Sequence, residues 1–176
     1  MKKILVVASL VVVSSMLSIR TYAQYRVGDK FLNVGFGLNS YYSGGNPFTT
    51  SFEVMVTEDI SVGGGLDYLS YHFGTPSSNY GFSALYLGAR GSYHFNRLLE
   101  IDRRSNWDIY GGASLGFVSF RWTDNRPTNA PGDYGSGLFL GLHAGARYFF
   151  APKVGAFFEL AAFGASNARL GVAFKF

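Results

Sequence analysis

The side chains in this chain that could do chemistry are few and regularly placed. Glu53, Asp67 and Glu159 are carboxylates, and Arg90, Arg147, Arg169 and Lys175 are bases, that sit inside segments where every second residue is apolar. His143, Tyr86 and Tyr110 occupy similar positions. Counted from the nearest turn of each segment, Glu53, Asp67, Arg90, His143 and Glu159 fall near mid-height. Charges of both signs on one sheltered face must pair, because an unpaired charge out of water is strongly destabilising. A paired set of Glu53, Asp67, Arg90, His143, Arg147, Glu159 and Arg169 could fill a narrow interior and fix strand register. It could also gate a small pore or proton path.

Other chemistries leave weaker traces. Ser70 and His72 lie two residues apart on one face, within reach for a hydroxyl activated by an imidazole, but no carboxylate on an adjacent segment shares that face and height. His72, His94 and His143 are not at ligand spacing, and no acidic pair beside them completes a metal site. Asp124 and Asp133, with the asparagines between them, lack the regular ligand order of a Ca²⁺ loop. GFGLN and GGGLD are glycine-rich but lie within strands rather than before helices, so no phosphate cradle is expected. The chain has no cysteine, which excludes a disulfide scaffold, a thiolate metal site and a Cys nucleophile. No catalytic residue, cofactor or metal is therefore expected.

The elements that position the charges follow a short leader. MKKILVVASLVVVSSMLSIRTYAQ has a basic start, an apolar run from Ile4 to Val13 and the small-residue ending Thr21-Tyr22-Ala23. This reads as a secretory signal peptide over residues 1–23, cleaved before Gln24. The run of about ten apolar residues is half of the roughly twenty that a membrane-spanning helix needs. The whole chain has 15 Lys and Arg against 11 Asp and Glu; without Lys2, Lys3 and Arg20 the remainder is 12 against 11, or +1. The high pI then carries little weight, and no nucleic-acid partner is expected.

Residues 24–176 form one domain of alternating segments. In FLNVGFGLNS, Leu32, Val34, Phe36 and Leu38 share a face opposite Asn33, Gly35, Gly37 and Asn39. FTTSFEVMVT opposes Phe48, Thr50, Phe52, Val54 and Val56 to Thr49, Ser51, Glu53, Met55 and Thr57. The pattern recurs in ISVGGGLDYLSYHF, FSALYLGARGSYHF, GSGLFLGLHAGARYFF, VGAFFELAAF and RLGVAFKF. WDIYGGASLGFVSFRW is also a strand, but its glycines leave its phase open. The total is about eight antiparallel strands of the roughly ten-residue length that a tilted membrane strand needs. Residues 41–47, 74–81 and 123–134 read as polar loops at one end. Glu58-Asp59 and residues 151–153 read as tight turns at the other, where the long charged link 96–106 breaks the pattern.

The faces choose the solvent. In a soluble sandwich or lipocalin the bulky face points inward and the outer face is charged. Here the bulky face carries almost no charge, and the polar face is dominated by Gly, Ser, Ala and single charges. Small residues suit a narrow interior and bulky uncharged ones suit lipid, which predicts an eight-stranded antiparallel up-and-down transmembrane β-barrel. Hydrocarbon has no partner for an open strand edge, so the first and last strands must pair. Tyr93, Phe95, Trp107, Tyr148, Phe150, Phe174 and Phe176 fall toward the turn end, and Tyr41, Tyr42, Phe48, Tyr68, Phe82 and Trp122 toward the loop end, as two interfacial girdles. Tyr41, Tyr42, Tyr80, Arg121, Trp122, Arg126 and Tyr134 would offer aromatic and cationic contacts for an extracellular ligand.

The signal peptide, the repeated strands, the segments GARGSYHF and GARYFF and the closing LGVAFKF together resemble the small outer-membrane β-barrel proteins of the OmpX, Ail and OmpA-barrel type. The resemblance covers nearly the whole of residues 24–176. It implies a place in the cell outer membrane, contact with outer-membrane lipid and lipopolysaccharide, and delivery by periplasmic chaperones. Phe176, Phe174, Val172 and Leu170 are similar to the signal read by the barrel-assembly machinery. The chain stops at the last strand, so no peptidoglycan-binding domain is expected. Lipid A deacylases are enzymes of comparable size, but Ser70 and His72 reverse the His-x-Ser order familiar in them. The function expected is a structural and surface-recognition, adhesion-type role, with a narrow gated pore as the alternative and lipid A modification behind both.

Overall fold

The computed structural model describes residues 25–42, 44–75, 78–102, 105–122, 134–162 and 164–176. The expected signal peptide and the loop residues Asp124, Arg126 and Asp133 lie outside them. The strands are β1 (Lys30–Ser40), β2 (Phe48–Met55), β3 (Ile60–Thr75), β4 (Ser78–His94), β5 (Trp107–Trp122), β6 (Gly137–Ala151), β7 (Val154–Ala162) and β8 (Ser166–Lys175). Each pairs antiparallel with its neighbours in sequence. β1 pairs with β8 from Phe31↔Lys175 to Ser40↔Ser166, which closes the barrel.

Alternation decides which side chains enter the lumen. Along β1, Phe31 and Asn33 are buried inside while Phe36 and Leu38 are exposed outside. Along β6, His143, Arg147 and Phe149 point in while Leu138, Leu140, Leu142 and Tyr148 point out. The phase of β5 is now fixed: Asp108, Tyr110, Val118 and Phe120 are buried in the lumen, and Trp107, Leu115 and Phe117 face outward. At the turn end Trp107 packs on Tyr148 at 4.9 Å and Tyr93 on Phe95 at 5.0 Å, all on the outer surface. They form the girdle expected there.

Two expectations need correction. Residues 74–75 and 78–81 are strand rather than loop: β3 and β4 stay in register through Gly74↔Asn79 and Thr75↔Ser78. Ser, Asn and Gly there mark paired strands whose faces have lost their apolar residues rather than strands that have ended. Second, Tyr42, Phe82 and Trp122 do not belong to the outer girdle. Tyr42 and Phe82 are buried inside the mouth together with Leu69, Ala84 and Phe120, and Trp122 packs against that cluster. Phe82 shares its parity with Tyr86 and Arg90, so the strand turns it inward. The described part of the long charged link, residues 96–102 and 105–106, makes a short helical excursion. The Leu99 amide donates to the Phe95 carbonyl, Glu100 donates to Arg97 and Ile101 donates to Asn96, with Glu100 left-handed at φ 51°. That is one helical turn closed by a Schellman motif with Glu in the place glycine usually takes. Asn96 ties it to β5 by accepting from the Ile109 amide, and Arg97 pairs with Glu58 and Asp59 of the β2–β3 turn.

Close packing of the wall depends on two lumenal glycines beside the charges. A Cβ at Gly63 would lie 1.8 Å from the Phe52 carbonyl oxygen, and one at Gly112 would lie 1.9 Å from that of Gly91. Neither strand can move away without breaking its ladder. Gly112→Val is therefore expected to abolish the folded band that runs apart from the heated protein on cold SDS gels. Gly137→Ala, where a Cβ meets nothing within 4 Å, should leave that band in place.

Candidate functional site

The lumen is built in layers from the turn end upward. Its floor is apolar: Phe31, Met55, Phe149, Phe157 and Ala173 pack together, with Tyr25 from the segment before β1 against them. Lys175 lies beside this floor, 3.0 Å from Asp29 and over the Tyr25 ring at 5.3 Å.

Above the floor sits Arg147, with none of its surface exposed. Its Nη1 donates to Asp108 Oδ2 at 2.7 Å, its Nη2 to Glu53 Oε2 at 3.1 Å and its Nε to Asn33 Oδ1 at 3.0 Å. The guanidinium places its carbon over the Phe31 ring at 4.8 Å and the Tyr110 ring at 4.1 Å. Its N–H groups go to two carboxylates and an amide oxygen while its carbon lies over two aromatic rings, surroundings that a planar, weakly hydrated cation favours. Glu53 also accepts from Ser92 at 2.6 Å and Ser61 at 3.1 Å. His94 places Nδ1 2.8 Å from Asp108 Oδ1 and Nε2 3.0 Å from Ser61 Oγ.

A second group stands on the first. Arg90 reaches down to Glu53, Nε to Oε2 at 3.4 Å, and donates to Glu159 Oε2 at 2.7 Å. Tyr110 donates to that same oxygen at 3.1 Å. Arg169 bridges Glu159 Oε1 at 2.8 Å and Asp67 Oδ2 at 2.6 Å, and Thr49 donates to Asp67 at 2.7 Å. His143 Nε2 contacts Ser92 Oγ at 2.9 Å. All seven charged or histidine positions singled out from the pattern thus lie in one network. Four carboxylates face three guanidiniums, and the hydroxyls of Ser61, Ser92, Thr49 and Tyr110 occupy lone pairs that the arginines leave.

Sequence reasoning left Asp108, His94 and Asn33 out of this set, although Asp108 is the shortest anchor of Arg147. The signal for Asp108 was Trp107: a girdle tryptophan faces out, so its neighbour faces in. The remaining candidates do not join the network. Ser70 and His72 are exposed on the outer face of β3, paired in register with Ser83 and Gly81 of β4. Tyr41 and Arg121 are exposed at the rim; Tyr42 is only 7% exposed and Tyr134 packs over it at 4.9 Å. Leu170 and Val172 face outward on β8, and Phe176 is exposed at its end.

Between the charges and the mouth is a cavity of about 30 Å³ lined by Asp67, Tyr86, Arg90 and Arg169 among others, enough for one water. The aromatic cluster of Tyr42, Phe82 and Phe120, with ring centroids 5.2 to 5.5 Å apart, lies above it. Burial and the hydroxyl of Tyr86 at 2.6 Å raise the Tyr42 phenol above the usual tyrosine range, so the lid is uncharged.

No family model and no curated protein matches the sequence. Solved structures do. OprG, an outer membrane protein from Pseudomonas aeruginosa, superposes with a TM-score of 0.62 at 12% identity, over 90% of this chain and 99% of OprG. Ail, the attachment invasion locus protein of Yersinia pestis, solved with the heparin analogue sucrose octasulfate, superposes with a TM-score of 0.53 at 15% identity, over 86% of this chain and all of Ail. The chain has the fold of the small outer-membrane β-barrels. In an outer-membrane barrel the outward rows, which carry Leu32, Val34, Phe36, Phe52, Val62, Leu87, Leu115 and Leu140, face lipid, and the charged network lies at membrane depth inside.

Removing one partner of a buried ion pair leaves the other charge stranded, at a cost of about 3–5 kcal/mol. Arg147→Met should lower stability by about that amount in urea unfolding from phospholipid vesicles. Adding Asp108→Asn should then cost much less than Asp108→Asn does alone, because the carboxylate has already lost its partner. Additive losses would show that Arg147 and Asp108 are uncoupled.

Proposed function

We propose that this protein is an exported, non-conducting outer-membrane barrel that works through the sheet it raises above the bilayer, in an adhesion-type recognition role. The observation that carries this reading is the contrast between a filled lumen and an uneven rim. Floor, ion pairs and aromatic lid occupy the axis, and the cavity among the charges holds about 30 Å³. β3, β4 and β5 run 16, 17 and 16 residues, whereas β2, β7 and β8 run 8, 9 and 10.

The extra length stands on one side. The ladder between β2 and β3 stops at Phe48↔Tyr68, so β3 from Leu69 to Thr75 has no β2 partner among the described residues. Past Tyr68, Leu85 and Phe117 the outward positions become polar: Ser70 and His72 on β3, Ser83 on β4, Ser119 and Arg121 on β5. An open strand edge above the membrane is a place where an extended segment of another protein can add a strand. Ail, named for attachment and invasion, shares this fold and supports a surface role by analogy. Export by the signal peptide, contact with lipopolysaccharide, and reading of Leu170, Val172, Phe174 and Phe176 by the assembly machinery belong to the same reading.

The test is to shorten the raised hairpin. Replacing residues 72–81 by Asn-Gly joins Tyr71 to Phe82 through a two-residue turn. Cells displaying this variant should retain the folded, heat-modifiable barrel in their outer membrane and lose adhesion to epithelial monolayers and heparin-coated surfaces, down to the level of cells without the protein. Full adhesion by the shortened barrel would overturn the reading.

A further inference from the structure

The wall of the barrel has a step on its outer half. β6 starts at Gly137, but its ladder with β7 starts at Leu142↔Ala162, so Gly137–Gly141 have no β7 partner among the described residues. β7 ends at Ala162 and β8 begins at Ser166. Over this step lies a recess of about 250 Å³, walled by Tyr41, Tyr42, Tyr86, Val118, Tyr134 and Phe139, with Gly164 on the side of the β7–β8 turn.

The recess presents ring carbons because its polar tips are engaged. The Tyr42 and Tyr86 hydroxyls bond each other at 2.6 Å, and Tyr41 donates to the Ala161 carbonyl at 3.3 Å. Phe139 meets Tyr86 edge to face at 5.2 Å. Beneath Tyr86 lie Asp67, Arg90 and Arg169, so an apolar group entering the recess finds no apolar way onward. Its wall on the side of the step is the stretch of β6 that puts Phe139 into the recess and has no β7 partner among the described residues. On its outer face that stretch carries Leu138 and Leu140, 82% and 65% exposed, and on its other edge Leu138 pairs in register with the outward Phe117 of β5.

We propose that this recess binds one alkyl chain of an outer-leaflet lipid, admitted sideways over the end of β7. At about 250 Å³ the recess has room for part of one acyl chain. Burying a methylene is strongly favourable only when it leaves water, so a chain already in lipid gains mainly through packing on the rings. The site therefore selects chain shape and fixes a lipid at one place on the rim, whether or not the raised sheet has a partner.

The experiment is photolabelling of the full barrel in dimyristoyl phosphatidylcholine vesicles doped with the same lipid carrying a diazirine on one chain. Mass spectrometry of the digested protein should find label on the inward residues Tyr42, Tyr86, Val118 or Phe139 as well as on Leu138 and Leu140. Val118→Trp, which fills the recess, should reduce the inward label severalfold and leave the outward label and the folded gel band unchanged. Phe139→Trp is the second filling variant should the first fail to fold. Label confined to outward residues, or inward label that neither variant reduces, would overturn the proposal. So would inward label obtained only from diazirine-bearing decanoate added from water, which would make the occupant a free acid from the medium.

Discussion

A guanidinium with no exposed surface, held by three hydrogen bonds and two aromatic rings, is the interaction on which the rest of this barrel depends. Arg147 draws Asn33 from β1, Glu53 from β2 and Asp108 from β5 to one point in the lumen, with its guanidinium carbon over the rings of Phe31 and Tyr110. Four strands that are not all neighbours around the wall are thereby tied across its axis. Such a cation cannot be left unpaired at this depth, so its partners must come from the right height on each strand. A slip of one residue in any ladder would turn one of them out into lipid. The network thus fixes register, whatever net stability it contributes.

A second constraint follows from the first. Eight strands enclose an axis just wide enough for side chains to fill, and here salt bridges, a phenylalanine-rich floor and a tyrosine and phenylalanine lid fill it. Pairing the charges leaves cavities rather than a passage. On the proposed reading, specific action is displaced to the rim, where β3, β4 and β5 continue upward and where β7 and β8 stop short. The raised hairpin and the tyrosine-lined recess are two consequences of one fact, the unequal length of the strands.

Much of this was legible in the sequence because the side-chain period of a strand is two. Glu53, Arg90, Arg147 and Glu159 could be assigned to the lumen from their apolar neighbours alone. Asp108 was harder to assign, because Gly111, Gly112 and Gly116 erase the contrast between faces along β5 and Trp107 alone marks the phase at its start. Tyr42 and Phe82 were misplaced for a different reason. An aromatic residue at a strand end fits an interfacial girdle and an internal lid equally well, and Tyr42 lies past the end of β1, where alternation no longer constrains it. The hairpin beyond Gly74 was hidden by composition: above the membrane, paired strands no longer need apolar faces, so they look like loops. Which distant carboxylate meets which arginine depends on barrel tilt and register, and no local pattern carries that.

Ion flow through the axis is the property that the network most directly forbids. Single-channel current across a planar bilayer, recorded with the purified barrel after its folded insertion is verified, measures it. A lumen sealed by Arg147, Arg90 and their carboxylates predicts a flat trace with no discrete steps. Reproducible steps from the wild-type barrel whose size changes in Arg90→Ala would show ions passing the network, and would contradict a closed barrel that acts at its rim.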